Sequence, residues 1–277
     1  MFDKLSDSWD LVKASAGVLR QDKELLWLPV MSFLATLVVL ASFAFPMLAV
    51  YGGSSPESHG VVFWVFGFLF YLSQYFVIFF FNSALVGAAL MRLEGKDPTL
   101  KDALGHARGL IVPLLGYAAI AATVGMVLRA IQERSGFLGQ IVVGLLGMGW
   151  TVATFLVVPV LVSRQMGPVE AIQESTRLLK KTWGQNVAGH LGIGAVFAVG
   201  YFTVMLGTVF FGLAAATFSG ELAVLVVVSG LVVVLGMGVY QSALMGVYQA
   251  ALYRFAHSGE VPEGFSQDQV AAAFLPK

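Results

Sequence analysis

Four of the side-chain amides that lie within long apolar segments of this chain are the groups best suited to bind a ligand. They are Gln74, Asn82, Gln241 and Gln249, with Ser73, Ser83 and Ser242 beside them. Amides in lipid hydrogen-bond to neighbouring helices, which gives these residues a structural interpretation. The functional interpretation is a polar patch that lines a cavity between the second and sixth membrane spans, as in transporters built from repeats. The sequence alone leaves both open.

Ionisable side chains are rare in the same segments, although ion-coupled transporters usually need them there. Arg129 and Glu133 lie close enough to the outer end of the third span to reach the interface. His190 lies near the inner start of the fifth span, where a hydrogen-bonded structural role competes with a proton relay. The sequence therefore does not indicate the charge of any transported solute.

Catalytic and metal-binding patterns are missing from the predicted spans. None contains HExxH, GxSxG or a carboxylate pair, and the histidines are dispersed over separate parts of the chain, at His59, His106, His190 and His257. The chain has no cysteine, which excludes disulfides and thiolate-held clusters. We therefore expect a protein that is not an enzyme and has no cofactor or metal. The net charge of zero argues against nucleic acid as a partner.

The composition places these amides in a membrane protein. Of the 277 residues 58% are apolar and 12% are charged, about half the charge of an ordinary soluble domain. Apolar runs of about twenty residues or more fit the hydrocarbon core of a bilayer as helices. The sequence predicts an all-α, polytopic transmembrane bundle with about six spans, at residues 25–51, 61–91, 109–131, 138–163, 186–217 and 221–254. A tight hairpin at Ser219-Gly220 separates the last two.

The basic residues give the bundle an orientation. Fourteen of the 16 Lys and Arg residues lie in connections on one side of the membrane, and only Arg129 and Arg134 lie on the other. Because Lys and Arg concentrate in cytoplasmic connections, both termini and the tail 255–277 are predicted to be cytoplasmic, in the cell inner membrane. The first 24 residues lack the apolar core and cleavage site of a signal peptide, so we expect the N-terminus to be retained.

Each cytoplasmic connection contains an amphipathic stretch, in which apolar side chains recur at spacings of three and four. The three sets are Leu5, Trp9, Val12, Ala16 and Leu19; Leu100, Leu104, Ala107 and Ile111; and Val169, Ile172, Thr176, Leu179 and Trp183. Thr99 and Asp102 have the spacing of a helix capping box. We expect three helices that lie as elbows in the membrane interface. A docking surface for a cytoplasmic partner is the alternative.

An elbow followed by two spans occurs three times, which predicts a single membrane domain, 1–277, made of three repeats at about 5–92, 98–163 and 167–254. The clearest internal echo is NSALVG at 82–87 and QSALMG at 241–246. Within it, Ser83 and Gly87, like Ser242 and Gly246, have the spacing of small residues that lets two helices pack closely.

Two longer phrases carry a family resemblance, NSALVGAALMRLEGKDPTLKDAL and VEAIQESTRLLKKTWG. With them the chain resembles an uncharacterised group of bacterial and archaeal six-span membrane proteins, a domain of unknown function. More distantly it is similar to the membrane domain attached to some glycerophosphodiester phosphodiesterases. The resemblance implies a membrane-embedded accessory or transport role, without the soluble phosphodiesterase domain and its catalytic carboxylates.

We predict a non-enzymatic accessory or scaffold protein that contacts membrane lipid, a partner protein or further copies of itself. The alternative is a transporter of a small neutral solute or a lipid. The two differ at the amides, because a transporter predicts a solvated cavity among Gln74, Asn82, Gln241 and Gln249. A scaffold predicts dry packing at the same place.

Overall fold

The computed structural model describes residues 13–51, 60–183 and 190–259, in which nearly every residue is helical and no strand occurs. The predictions that concern Leu5, Trp9, Val12, His59 and the tail beyond residue 259 lie outside these residues. The side chains of Trp183 and His190 lie outside the description as well.

Ten helical segments follow one another along the described chain, with a short 3₁₀ turn at Lys23–Leu26 after the first. They are α1 (13–21), α2 (Trp27–Tyr51), α3 (Val61–Leu93), α4 (Leu100–Arg108), α5 (Ile111–Arg134), α6 (Phe137–Ala153), α7 (Val157–Arg164), α8 (Pro168–Trp183), α9 (His190–Ala216) and α10 (Gly220–Ser258).

The described residues contain six segments that are long and apolar enough to cross a membrane, which confirms the predicted helical bundle. They are Lys23–Leu48, Val61–Leu93, Ile111–Arg134, Phe137–Arg164, Val196–Ala216 and Gly220–Ser258. In lipid a helix is favoured because it satisfies every backbone hydrogen bond within one segment. The second and sixth segments extend a few residues beyond their predicted ends.

The fourth span, predicted over 138–163, contains a break that the sequence analysis did not predict. Helix α6 ends at Ala153 and α7 begins at Val157. The cause is Pro159, which has no N–H to donate to the carbonyl of Phe155 and whose ring crowds that carbonyl. The Ser175 hydroxyl of α8 repairs the break: it donates to the carbonyl of Ala153 at 2.7 Å and accepts the N–H of Leu156 at 3.1 Å.

The expected helix signals are present at two connections. The Thr99 hydroxyl accepts the N–H of Asp102 at 3.2 Å, and the Asp102 carboxylate accepts the N–H of Thr99 at 3.1 Å, which completes the capping box at the start of α4. The Ser219 hydroxyl accepts the N–H of Leu222 and so begins α10 after the predicted hairpin.

Helices lie at the second and third predicted elbows and over residues 13–19 of the first, the part that the structure describes. The face that α8 buries overlaps the predicted apolar stripe only in part. Its buried side chains are Ala171, Ser175, Leu178 and Leu179, whereas Val169 is 51% exposed. Small residues allow α8 to approach α7 closely. An interfacial role for these helices and a common origin of the three repeats stay predictions.

The core lies at one end of the bundle, around the final third of α3. This helix packs against α2, α4, α5, α7 and α10. Many of the core residues are small, which lets the helices come close together. The fully buried ones include Ala84, Ala88, Ala89, Ala103, Ala107, Ala243 and Ala250, with Leu85, Leu114, Leu156, Leu161 and Leu244 between them.

The same end also gathers charged side chains from several helices, and we call it the basic end. Arg92 pairs there with Asp22, the guanidinium of Arg254 donates to the carbonyl of Leu93, and Arg164 lies 2.9 Å from Nδ1 of His257. The opposite end has large exposed apolar side chains on α3, α6, α9 and α10, such as Val61, Phe137, Phe210 and Val224. These are the surfaces that lipid would cover.

Candidate functional site

A cavity of about 400 Å³ lies between α2, α3 and α10, in the half of the bundle nearer the basic end. This volume is within the usual range of small-molecule sites. The lining is mostly apolar, with a few polar groups in positions where they can orient a ligand. It consists of Pro29, Ser32, Ile78, Phe81, Asn82, Leu85, Gly238, Gln241, Ser242, Met245 and Gln249.

Three of the predicted amides meet at this cavity. The Asn82 amide donates to Oε1 of Gln249 at 3.4 Å, which links α3 to α10. The Tyr201 hydroxyl of α9 donates to Oε1 of Gln241 at 2.9 Å. Each amide has both donor and acceptor capacity beyond these bonds. Among the described residues, nothing else hydrogen-bonds to the oxygen of Asn82 or to the NH₂ groups of Gln241 and Gln249.

The fourth predicted amide, Gln74, lies apart from the other three. Its NH₂ group donates to the carbonyl of Thr36 on α2 at 3.4 Å, and its oxygen is buried without a partner in the described part of the chain. Eight residues separate Gln74 from Asn82, which turns the two side chains about 80° away from each other around α3. Gln74 therefore connects the first hairpin, α2 with α3, and does not line the cavity.

Sequence reasoning missed several contributors to the cavity. Pro29 and Ser32 lie in the first span, which the prediction left out of the site, and Gly238 lies one turn before Gln241. Tyr201 reaches Gln241 from α9. A polar Ser32 one turn from Leu28 is a weak signal in the sequence. Nothing in the spacing of Tyr201 indicates that it approaches α10, because that contact is tertiary.

The two glycines of the small-residue motifs have different neighbours. A Cβ added to Gly246 would stand 2.8 Å from Cγ of Leu85, so this glycine allows α10 to approach α3. A Cβ added to Gly87 would stand 3.3 Å from Cδ2 of His106 on α4. Ser83 is buried and donates to the carbonyl of Phe80 in its own helix at 2.8 Å. Ser242 is exposed and lines the cavity.

The ionisable groups near the cavity are engaged with other protein groups. Arg92 pairs with Asp22, and with Asp97 at 3.0 Å. Arg254 donates to the carbonyl of Leu93. None of the residues that line the cavity carries an ionisable side chain. The site can therefore form neutral hydrogen bonds but offers no charge to compensate a charged ligand.

Two carboxylates in the connections at the basic end are stabilised in their ionised form. Hydrogen bonds from Arg177, and then the charge of Arg164, lower the pKa of Glu174, although partial burial opposes this. The hydrogen bonds from Thr99 lower the pKa of Asp102. Both groups act in helix placement: Glu174 joins α8 to the end of α7, and Asp102 caps α4.

The other predicted chemical groups are scattered. Arg129 donates to Glu133 at 2.9 Å and to the hydroxyl of Tyr71 at 2.8 Å, at the end away from the core. Ring Nε2 of His106 lies 3.2 Å from the carbonyl of Val162, and His257 stacks on Tyr253. In the described residues, no three His, Cys, Asp or Glu side chains converge to hold a metal ion.

Comparison with known proteins gives a family and no function. Residues 61–264 match the model of a family of unknown function, DUF6159, and the chain belongs to that family. No curated protein and no solved structure matches the chain. The resemblance to the membrane domain of glycerophosphodiester phosphodiesterases is therefore not shown, whereas the assignment to an uncharacterised family is confirmed.

Proposed function

We propose that this protein is a non-enzymatic multi-pass membrane protein that binds a small neutral solute or a lipid in the cavity between α2, α3 and α10. The observation that carries the proposal is the cavity itself, about 400 Å³ in volume and lined by Asn82, Gln241 and Gln249. If the three helices packed together here without a cavity, the structure would support only the role of a scaffold protein. The cavity supports the transport or lipid-binding alternative instead.

Hydrogen-bond capacity indicates the kind of ligand. Asn82, Gln241 and Gln249 are half-buried, and the donors and acceptors that they leave unused at the cavity can hydrogen-bond to an occupant. The lining offers no ionisable group. A charged ligand would lose its hydration without compensation, which favours a neutral one.

The orientation and location belong to the same proposal. We place the protein in the cell inner membrane with both termini in the cytoplasm, which puts the basic end on the cytoplasmic side. The support is the excess of Lys and Arg in the connections on that side. A partner protein or a second copy of the chain stays a prediction from the sequence.

The experiment is to identify what the purified protein retains. Wild type and the double variant Asn82→Leu with Gln241→Leu would be purified in mild detergent, and native mass spectrometry would detect small molecules or lipids that remain bound. We expect a bound species in the wild type that decreases about tenfold in the variant, because lost hydrogen bonds of this kind shift affinity by about that factor.

A matched variant separates the cavity from a general effect of added leucine. Thr151→Leu with Thr203→Leu places leucine at two exposed sites on α6 and α9, where each hydroxyl bonds only to its own helix. This variant should retain the ligand. Equal retention by the wild type and the cavity variant, with both proteins folded by thermal unfolding, would reject the proposal.

A further inference from the structure

The depth of the cavity in the membrane follows from the length of α10. Glu221 and Arg254 lie near the two ends of this helix, about 50 Å apart at 1.5 Å per residue. Because a bilayer with its headgroups is about 40–45 Å thick, these two charges span it and the middle of the membrane falls near Gly238. Ser242 then lies about 7 Å from the middle and Gln249 about 17 Å from it.

The cavity therefore crosses the boundary between hydrocarbon and headgroups, which lies about 15 Å from the middle of a bilayer. Gly238 and Ser242 line its deep part at hydrocarbon level. Gln249, which is bonded to Asn82, lines its shallow part near the headgroups.

The opening of the cavity is at hydrocarbon level. Among the lining residues Ile78 and Ser242 are exposed, whereas Pro29 and Leu85 are buried. Ile78 lies about 21 Å before Arg92 along α3, and Ser242 lies about 18 Å before Arg254 along α10. The two exposed residues are therefore at matching depths, where the surroundings are acyl chains.

The lining combines apolar surface with hydrogen-bonding groups. Ile78, Phe81 and Met245 present the apolar surface. In the part of the chain that the structure describes, no protein group bonds to the oxygen of Asn82 or to the NH₂ group of Gln249. Both are therefore available to a ligand. The nearby guanidinium groups of Arg92 and Arg254 are already engaged by Asp22 and by the carbonyl of Leu93. A site that faces acyl chains and offers both apolar surface and neutral hydrogen-bonding groups matches an amphipathic molecule without charge.

We propose that the ligand is a lipid with an uncharged, hydroxyl-bearing head, such as a diacylglycerol, which enters sideways from the bilayer between Ile78 and Ser242. This inference rests on the proposed function of the cavity. The head hydroxyl donates to the oxygen of Asn82 and accepts from the NH₂ group of Gln249. The volume of about 400 Å³ holds the head and the start of a chain, so the rest of the lipid extends through the opening into the membrane.

The test uses the full chain in phosphatidylcholine vesicles with three photoactivatable diazirine probes. One is a diacylglycerol with the diazirine on an acyl chain, the second is a phosphatidylcholine with the same chain, and the third is a small water-soluble diazirine alcohol. Mass spectrometry of peptides then maps the labelled residues. We expect the diacylglycerol to label α3 and α10 around the cavity about tenfold more than the phosphatidylcholine does, a ratio typical of one or two lost polar contacts.

Two variants of the same helix test the route of entry. Ser242→Trp fills the opening, and Ser229→Trp places the same side chain on an exposed part of α10 away from the cavity. Labelling by the diacylglycerol should decrease about tenfold in S242W and stay unchanged in S229W. Since Ser242 is exposed, the added ring does not have to enter the protein core, and thermal unfolding would check that S242W is folded.

The outcomes distinguish this inference from the proposed function. Equal labelling by both lipids would overturn the uncharged head. A third outcome is that the water-soluble alcohol labels the cavity equally in S242W and in the wild type, while diacylglycerol gives no specific labelling. This would overturn lateral entry, and the cavity would then be a site for a neutral solute. If no probe labels the residues around the cavity, both the inference and the proposed function fail.

Discussion

The basic end and the opposite end of the bundle meet the membrane in different ways. At the basic end alanine and glycine let the helices touch, and side chains such as Ala84, Leu244 and Leu161 are fully buried. At the opposite end Val61, Phe137 and Phe210 are all more than half exposed. Because lipid is as apolar as these side chains, burying them in the protein instead of in lipid gains little free energy. Close packing and polar contacts at the basic end therefore define the fold.

The ion pair at the basic end is also more buried than the ion pair at the opposite end. At the basic end Asp22 is 8% exposed and Arg92 is 21% exposed, and the pair joins the segment before α2 to the end of α3. At the opposite end Arg129 and Glu133 are 64% and 58% exposed and belong to one helix. A buried pair that holds two segments together should matter far more than an exposed pair within one helix.

The largest effect that we predict comes from removing the arginine of the buried pair. Arg92→Ala leaves the carboxylate of Asp22 buried without its partner, which should lower the free energy of unfolding by about 3–5 kcal/mol. Arg129→Ala at the opposite end should lower it by no more than about 1 kcal/mol. Steric trapping in bicelles measures both values. Similar losses in the two variants would contradict the contrast between the ends.

A second prediction compares two leucines of one helix. Leu244 is fully buried in α10 and Leu225 is 64% exposed. Leu244→Ala opens a cavity in the packed end and should cost about 2–3 kcal/mol of unfolding free energy. In Leu225→Ala the side chain faces lipid before and after the change, so stability should change by less than about 0.5 kcal/mol. A large loss in the second variant would show that Leu225 contacts protein rather than lipid.

The smallest predicted effect is a dependence on pH that arises at the basic end. Because the folded protein lowers the pKa of Glu174 below its ordinary value of 4.5, the contacts with Arg177 and Arg164 stabilise the fold above that pH. Their contribution is lost as the pH falls below about 4.5 and through the lower folded value. It should be less than about 1 kcal/mol, since Arg177 is exposed.

Thermal unfolding in detergent between pH 3 and 7 would detect this loss. Glu174→Gln should remove the part of the acid-induced loss of stability that arises from Glu174. The control is Glu170→Gln on the exposed side of the same helix, which should leave that part in place. If E174Q and the wild type lose the same stability in acid, the ion pairs of Glu174 are not its source.

Much of the fold was accessible from the sequence because lipid imposes simple rules. Six apolar segments of sufficient length predict six spans, and the Thr99 and Asp102 pair and the Ser219-Gly220 turn mark where helices begin. The break in the fourth span was missed although Pro159 was a visible signal. A proline inside a membrane helix can be accommodated without a break, and the outcome here depends on Ser175, which comes from another helix.

The site was only partly accessible for a related reason. Polar residues in apolar segments identify candidates, and three of the four amides reach one cavity. Which of these candidates line the cavity depends on their positions around each helix. The turn of α3 separates Gln74 from Asn82, which the helical period alone could have indicated. The contact between Tyr201 and Gln241 depends on how α9 packs against α10, and no local pattern contains that information.

The repair of the fourth span by Ser175 has a consequence for how the protein is made. Ser175 follows Leu156 by 19 residues and Ala153 by 22, so the chain emerges from the ribosome with the carbonyl of Ala153 and the N–H of Leu156 ahead of the hydroxyl that binds them. Unsatisfied backbone groups are costly in hydrocarbon. The fourth span therefore reaches its final form only after a downstream segment has been translated and has folded back against it.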